Sequence, residues 1–161
     1  MQLTKFSDYS LRLLIQLSSV QERRLTARQI ADDQGLSFNH LAKIAQWLAA
    51  EGYVTATRGR AGGISLAMAP SAINLGTLLR RSEAGSALVE CMDVGGGQCL
   101  LTPACGLKSL LANAHEAFFV YLDNYTLADV MTFSPGMSAL IAGLMDPCLL
   151  YTSPSPRDGT K

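Results

Sequence analysis

Basic charge is nearly absent from the C-terminal half of the chain. Between Cys91 and Pro147 the single lysine or arginine is Lys108, although the whole chain carries 13 Lys and Arg against 13 Asp and Glu. A net charge of zero excludes a polycation that binds nucleic acid over its whole surface. Any nucleic-acid contact must therefore lie on one face. The basic residues are unevenly spread, and those that precede position 61 include Arg23, Arg24, Arg28, Lys43, Arg58 and Arg60.

Long apolar runs are also missing. No run reaches the about 18 residues that a membrane-spanning helix needs. The N-terminus is polar and then amphipathic, unlike a secretory signal. These features predict a cytoplasmic protein that does not enter a membrane. In that compartment thiols stay reduced, so clustered cysteines favour metal binding or redox chemistry over structural disulfides.

The usual groups of enzyme active sites are scarce. The only histidines are His40 and His115, and no nucleophile–base pair stands out. The glycine-rich stretch 59–63 is too short for a phosphate-binding loop, and no Lys-Ser/Thr pair follows it. The sequence therefore predicts a protein that is not an enzyme.

A helix-turn-helix is predicted between positions 26 and 52. Thr26 and Gln29 have the spacing of a capping box, and Gly35 is suited to end that helix. Ser37 can cap the next helix, in which apolar residues recur at helical spacing. Its early outward positions are those that a recognition helix presents to the major groove. The candidate DNA-binding residues here are Arg28, Ser37, Asn39, His40 and Lys43. The alternative interpretation is a solvated face of a small helical domain.

A β-hairpin should follow directly. Residues 53–57 and 64–68 are β-prone and roughly alternating, and a basic, glycine-rich tip separates them. A hairpin after a helix-turn-helix predicts a winged helix. Arg58 and Arg60 at its tip suit a phosphate or minor-groove contact, although an ordinary exposed turn is the alternative.

Three thiols lie close together in the second half of the chain. Cys91, Cys99 and Cys105 share a segment with Gly95, Gly96, Gly97 and Pro103. Their wide spacing does not match zinc sites, but iron–sulfur clusters accept such spacings of thiolate ligands. A disulfide switch is the alternative, because three thiols allow a pair and a spare. Three thiolates leave a cluster one ligand short, and Asp93 is a candidate within the loop.

We expect a mainly α fold, with a winged helix-turn-helix domain, a cysteine loop and a long C-terminal dimerisation helix. Residues 1–70 are the predicted DNA-binding domain, and residues 71–106 the linking helix and cluster loop. Residues 107–132 are the predicted dimerisation helix, since their apolar spacing suits packing against the core or a second copy. Residues 133–161 are a predicted disordered tail, and a change in composition from 148 onward indicates a non-native end.

Several motifs between residues 1 and 132 occur together in this chain: MQLTKFSDY at 1–9, NH and KI within 39–44, GYVTA at 52–56, RG and GGI within 58–64, LTPAC at 101–105 and LDNYTLAD at 122–129. Over these residues the chain resembles the iron–sulfur winged-helix repressors that include NsrR, IscR and RirA. It resembles most of all the NsrR-type nitric-oxide-sensing transcriptional repressors.

The resemblance implies that Cys91, Cys99 and Cys105 ligate a 2Fe-2S or 4Fe-4S cluster, with a fourth ligand matching Asp8 from the partner in a homodimer. It implies a repressor that binds operator DNA and releases it when nitric oxide nitrosylates the cluster. The Cys91–Cys99 gap is longer than the usual NsrR gap, and Lys108 stands where IscR has histidine. The alternative is a regulator of the same fold that responds to iron or cluster status, or to thiol redox state.

Overall fold

A computed structural model describes residues 2–20, 23–57, 62–93 and 95–145 of the chain. Within these residues lie seven α-helices and one two-stranded hairpin. The helices are α1 (Lys5–Ser19), α2 (Ala27–Gln34), α3 (Phe38–Ala50), α4 (Leu75–Ser82), α5 (Gly106–Leu122), α6 (Leu127–Phe133) and α7 (Met137–Met145), and the strands are β1 (Val54–Thr57) and β2 (Gly63–Leu66). A helix-turn-helix followed by a hairpin confirms the predicted winged-helix fold.

The first three helices enclose the hydrophobic core. Apolar side chains at helical spacing on their inner faces are almost completely buried, among them Leu13, Leu17, Ile30, Leu41 and Leu48. Burying a side chain of this size contributes about 1.5–3 kcal/mol. This shared core holds α3 in a defined orientation, so its opposite face is presented to solvent.

Local signals set the ends of α2 as predicted. The Thr26 hydroxyl accepts the Gln29 N–H, and the Gln29 side chain accepts the Thr26 N–H, which completes the capping box. Gly35 ends the helix with a positive φ of 63°, a conformation that glycine adopts without steric cost. Ser37 precedes α3 but makes no side-chain capping bond, so its predicted capping role is wrong.

The hairpin is anchored to the segment between α1 and α2. β1 and β2 pair antiparallel, with Val54 opposite Leu66. Leu25 adds a backbone bridge to β2. Its N–H donates to the Ile64 carbonyl at 3.1 Å, and its carbonyl accepts the Ile64 N–H at 2.7 Å. The hairpin is therefore anchored near its tip, because Ile64 is the second residue of β2 and pairs with Ala56 of β1. Its tip, with Arg58 and Arg60, lies outside the described residues.

Helices α4 and α5 approach so closely that one position must be glycine. A Cβ atom at Gly76 would lie 2.6 Å from the Phe119 carbonyl oxygen. On the same side, the Nη1 and Nη2 groups of Arg80 donate hydrogen bonds to the two carboxylate oxygens of Asp123, at 2.7 and 2.8 Å. Their hydrogen bonding raises the pKa of Arg80 and lowers that of Asp123. The contact fixes α5 relative to the winged helix.

The predicted dimerisation helix over residues 107–132 is divided in the structure, because α5 ends at Leu122 and α6 begins at Leu127. Backbone bonds to the segment before α4 explain the break. Leu75 donates its N–H to the Tyr125 carbonyl at 3.0 Å, and Leu127 donates to the Ile73 carbonyl at 2.9 Å. A capping box at Thr126 then starts α6, which packs against α1.

The predicted disorder from residue 133 onward is wrong for α7. Ile141 is 7% exposed, and α7 lies against α1, so this apolar segment completes the core rather than remaining solvated. Residues 146–161, including the proposed non-native end, lie outside the described residues. In the described part of the chain no single helix could span a membrane, and only the bent pair α6 and α7, at 94°, has the required length and composition together.

We predict that Gly76→Ala destabilises the protein by about 1–3 kcal/mol, because the added methyl group overpacks the α4–α5 contact. Urea unfolding followed by circular dichroism measures the change. Gly143→Ala is the matched control, since a Cβ at this helical position meets nothing within 4 Å. An equal effect of the two substitutions would show that the close approach is not the cause.

Candidate functional site

The outer face at the start of α3 carries the polar residues singled out from the sequence. Ser37, Asn39, His40 and Lys43 are exposed. Their orientation follows from the core, because Leu41 and Ile44 on the same helix are buried. Four side chains able to bind bases or phosphates therefore share one solvent-facing surface.

Arg28 reaches this surface from α2. Its guanidinium carbon lies 4.6 Å from the centre of the Phe38 ring, which is a cation–π contact. Because Phe38 is the first residue of α3, the contact holds Arg28 beside the start of that helix. The structure thus brings together five of the seven predicted DNA-binding residues, and Arg58 and Arg60 are the two outside the described residues.

A further cation, missed by the sequence analysis, lies beside α3. Lys5 at the start of α1 borders a groove of about 210 Å³ with Phe6, Tyr9, His40, Lys43 and Ile44. In the described residues neither Lys5 nor Lys43 forms an ion pair. Only the packing of α1 on α3 brings these two lysines to one groove, so their separation in sequence carried no signal.

The three thiols of the cysteine loop are free, with Cys99 exposed and Cys91 and Cys105 half-buried. Cys105 directly precedes α5 and makes no side-chain capping bond. This helix start favours negatively charged ligand groups such as a thiolate. The loop therefore offers three accessible soft donors, one of them favourably placed by a helix dipole.

These donors fit an iron–sulfur cluster by type and number. Close approach within the loop also fits, because a Cβ at Gly97 would lie 2.6 Å from the Glu90 carbonyl oxygen, leaving the loop folded back beside Cys91. The side chains are not assembled, however. Among residues 2–20, 23–57, 62–93 and 95–145, no group of three or more His, Cys, Asp or Glu side chains could hold a metal ion.

Asp8, the predicted fourth ligand, lies in the first turn of α1. Its carboxylate pairs with Arg12 of the same chain, with one oxygen 2.9 Å from Nη2 and the other 3.1 Å from Nε. Both side chains are about half exposed. The structure therefore does not bring Asp8 to the thiols within one chain, and it leaves the carboxylate near the surface.

A buried polar network next to Asp8 was also missed from the sequence. Glu83 at the end of α4 accepts hydrogen bonds from the Thr4 N–H and hydroxyl, both at 2.9 Å, and the hydroxyls of Ser7 and Ser82 lie 2.7 Å apart. Burial alone would raise the pKa of Glu83, but hydrogen bonds with Ser7 and Thr4 lower it below its ordinary value. This ionised carboxylate joins the start of α1 to the segment that leads into the cysteine loop.

Comparisons with known proteins place the chain among transcriptional regulators. Residues 3–132 match the family model Rrf2, described as an iron-dependent transcriptional regulator. The HTH-type transcriptional regulator NsrR of Bacillus subtilis (strain 168) is 43% identical over 132 residues, which cover 81% of this chain and 90% of that protein. NsrR of Bacillus licheniformis is 44% identical over 132 residues, covering 81% and 92%. These named regulators confirm the prediction of an NsrR-type regulator and not an enzyme.

Solved structures show the same fold. IscR of T. potens aligns with a TM-score of 0.65 at 24% identity, over 83% of this chain and 88% of that one. CymR, the global cysteine regulator of B. subtilis, aligns with a TM-score of 0.64 at 25% identity, over 83% and 98%. The family match and the curated relatives together show that the chain belongs to the Rrf2 family of transcriptional regulators.

Proposed function

We propose that this regulator is a nitric-oxide-responsive repressor of the NsrR type, which binds operator DNA as a homodimer in the cytoplasm. One observation carries the proposal. A chain similar to two NsrR regulators holds three free thiols in one loop, between a winged helix and a helix with an exposed apolar face.

DNA binding is proposed for the exposed start of α3 and its neighbours. Asn39 and His40 are suited to base edges, since amide and imidazole groups both donate and accept hydrogen bonds. The residues proposed to hold phosphates are Lys5, Arg28, Ser37 and Lys43. For Arg58 and Arg60 the proposal rests on sequence alone. A twofold-symmetric pair of such surfaces requires half-sites about one helical turn apart.

A second copy of the chain is the proposed partner of α5. Leu107, Leu110 and Tyr121 are 60%, 67% and 62% exposed, respectively. Their spacing of three and eleven residues places them on one side of the helix. Leaving such an apolar stripe in water is unfavourable, so a self-complementary contact between two α5 helices would bury it.

Cys91, Cys99 and Cys105 are the proposed ligands, with Asp8 of the partner subunit completing the set. When bound, the cluster supplies iron that nitric oxide attacks. The chain itself contributes a structural connection between Asp8 and the loop. The Glu83 network joins the first turn of α1, which carries Asp8, to the end of α4, and the segment after α4 leads into the cysteine loop. A released Asp8 can pair with Arg12 of its own chain, as it does here. The two reading surfaces would then lose the spacing that the operator requires.

A second candidate is a regulator of the same fold that responds to thiol oxidation or to iron or cluster status. The thiol-oxidation form of this candidate is favoured by the finding that Cys91, Cys99 and Cys105 are all free in one loop. Oxidation would join two thiols as a disulfide, releasing two protons and two electrons to an oxidant.

The central test is anaerobic purification with iron and sulfide analysis, followed by nitric oxide titration of an operator complex. We expect a coloured protein that contains iron and sulfide and loses operator affinity as nitric oxide is added. Cys91, Cys99 and Cys105 changed together to Ser should abolish both the colour and the response, whereas Cys148→Ser should change neither. A colourless, iron-free protein with full operator affinity would favour the thiol-redox candidate, and release by iron chelation but not nitric oxide would favour the iron-status one.

For DNA binding we predict two kinds of variant. Lys5→Ala and Lys43→Ala should weaken operator and random DNA alike, and each should reduce the slope of log K against log salt by about one, because one phosphate contact is lost. Asn39→Ala should cost about 1–3 kcal/mol on the operator and little on random DNA. Fluorescence anisotropy at several salt concentrations measures both effects. Lys108→Ala removes the same charge from α5, away from the proposed DNA-binding residues around α3, and should leave the slope of log K against log salt unchanged.

For the dimer we predict that Leu110→Glu yields monomers, because two buried carboxylates would face each other across the α5 stripe. Sedimentation velocity measures the change in mass. Ser109→Glu adds the same charge to an exposed position off the stripe and should remain dimeric. A dimeric Leu110→Glu protein would exclude this face of α5 as the interface.

A further inference from the structure

Glu90, the residue before Cys91, contacts the far side of the Cys91–Cys99 gap. Its carboxylate accepts the Gln98 N–H at 3.0 Å, and its backbone carbonyl accepts the Asp93 N–H at 3.1 Å. Gly97 has a φ of 49° and lies so close that an added Cβ would be 2.6 Å from the Glu90 carbonyl oxygen. These contacts join the residues next to Cys91 with the residues next to Cys99.

We propose that Glu90 and Gly97 form a clasp that holds Cys91 and Cys99 near each other before any metal binds. Glu90 acts as a positioning residue rather than a ligand. A hydrogen bond to an ionised carboxylate is stronger than one between neutral groups, so the clasp can hold an exposed turn closed. The identity of the bound group rests on the proposed function, but the proximity of the two thiols does not.

The clasp gives a reason why the long gap between the first two thiols is compatible with a common centre. Bringing together the ends of a flexible segment costs conformational entropy that rises with its length. The clasp closes the segment from Glu90 to Gln98 in the folded chain. The conformational entropy of this segment is therefore lost when the chain folds, before any metal binds. Metal binding then has less chain to order, as in other preorganised sites.

The three consecutive glycines of the loop provide a matched set of substitutions. A Cβ at Gly97 meets the Glu90 backbone, whereas one at Gly95 meets nothing within 4 Å. Gly96 is also open and, like Gly97, has a positive φ, so a substitution at Gly96 brings backbone strain without the contact to Glu90. Gly97→Ala should therefore open the clasp, and Gly95→Ala should not.

The first experiment measures thiol proximity in the full chain without metal. Cys105→Ser and Cys148→Ser leave Cys91 and Cys99 as the only thiols. The probe is phenylarsine oxide, whose arsenic forms bonds to two neighbouring thiol sulfurs while the two thiol protons leave with its oxygen as one water. Glu90→Ala and Gly97→Ala should weaken binding by about tenfold, because the thiols must first be brought together. Gly95→Ala should bind within about twofold of the parent. Glu90→Gln, which keeps an acceptor oxygen without the charge, should bind more tightly than Glu90→Ala but less tightly than the parent.

A second readout is hydrogen exchange at the Gln98 amide of the same metal-free proteins. Exchange should quicken by about tenfold in Glu90→Ala and stay near the parent rate in Gly95→Ala, because only the former loses the acceptor. With all four cysteines restored and a cluster reconstituted anaerobically, the visible absorbance should decay faster with an iron chelator in the two clasp variants.

The outcomes separate the clasp from the proposed function. Equal arsenical affinities for Glu90→Ala and Gly95→Ala overturn the clasp, even if iron and sulfide load normally. If the clasp variants bind the arsenical more weakly while no protein, the parent included, takes up iron and sulfide, the clasp is upheld and the cluster proposal fails.

Discussion

The backbone pairing between residues 73–75 and 125–127, together with the close approach at Gly76, is the constraint on which the rest of the molecule depends. Across this junction the Leu75 N–H donates to the Tyr125 carbonyl, and the Leu127 N–H donates to the Ile73 carbonyl. Arg80 pairs with Asp123 beside it. Because backbone groups and a glycine leave little freedom, α5 has one position relative to the winged helix. The cysteine loop and the apolar stripe of α5 are placed by the same constraint.

Two polar contacts extend this constraint toward the thiols. Glu83 joins the first turn of α1 to the end of α4, and Glu90 joins the two sides of the cysteine loop. Each uses a carboxylate that accepts backbone N–H groups, which fixes chain position more firmly than a contact between exposed side chains. α1 in turn packs directly on α3, whose outer face carries the proposed DNA-binding residues.

Local chemistry explains which features were predictable. The capping box at Thr26, the glycine after α2 and the apolar spacing of α3 each act within about one turn of helix, so the helix-turn-helix could be derived from sequence. The capping signal of Thr126 and Asp129 marks the start of α6, but the apolar spacing continues across the break, so the sequence did not place the end of α5 at Leu122. α7 was missed because a helix of nine residues is too short to be stable alone and depends on contacts such as those of its buried Ile141.

The sequence by itself determined the local conformations and the kinds of functional group present. These are the helix-turn-helix, the hairpin, and three thiols in a loop that glycine allows to bend. Only the tertiary structure decided which distant residues meet. Lys5 joins Lys43 at one groove, Thr4 reaches Glu83, and Gly76 admits α5. The physical reason is that capping and periodicity depend on neighbours a few residues away, whereas packing and buried hydrogen bonds depend on how whole helices cross.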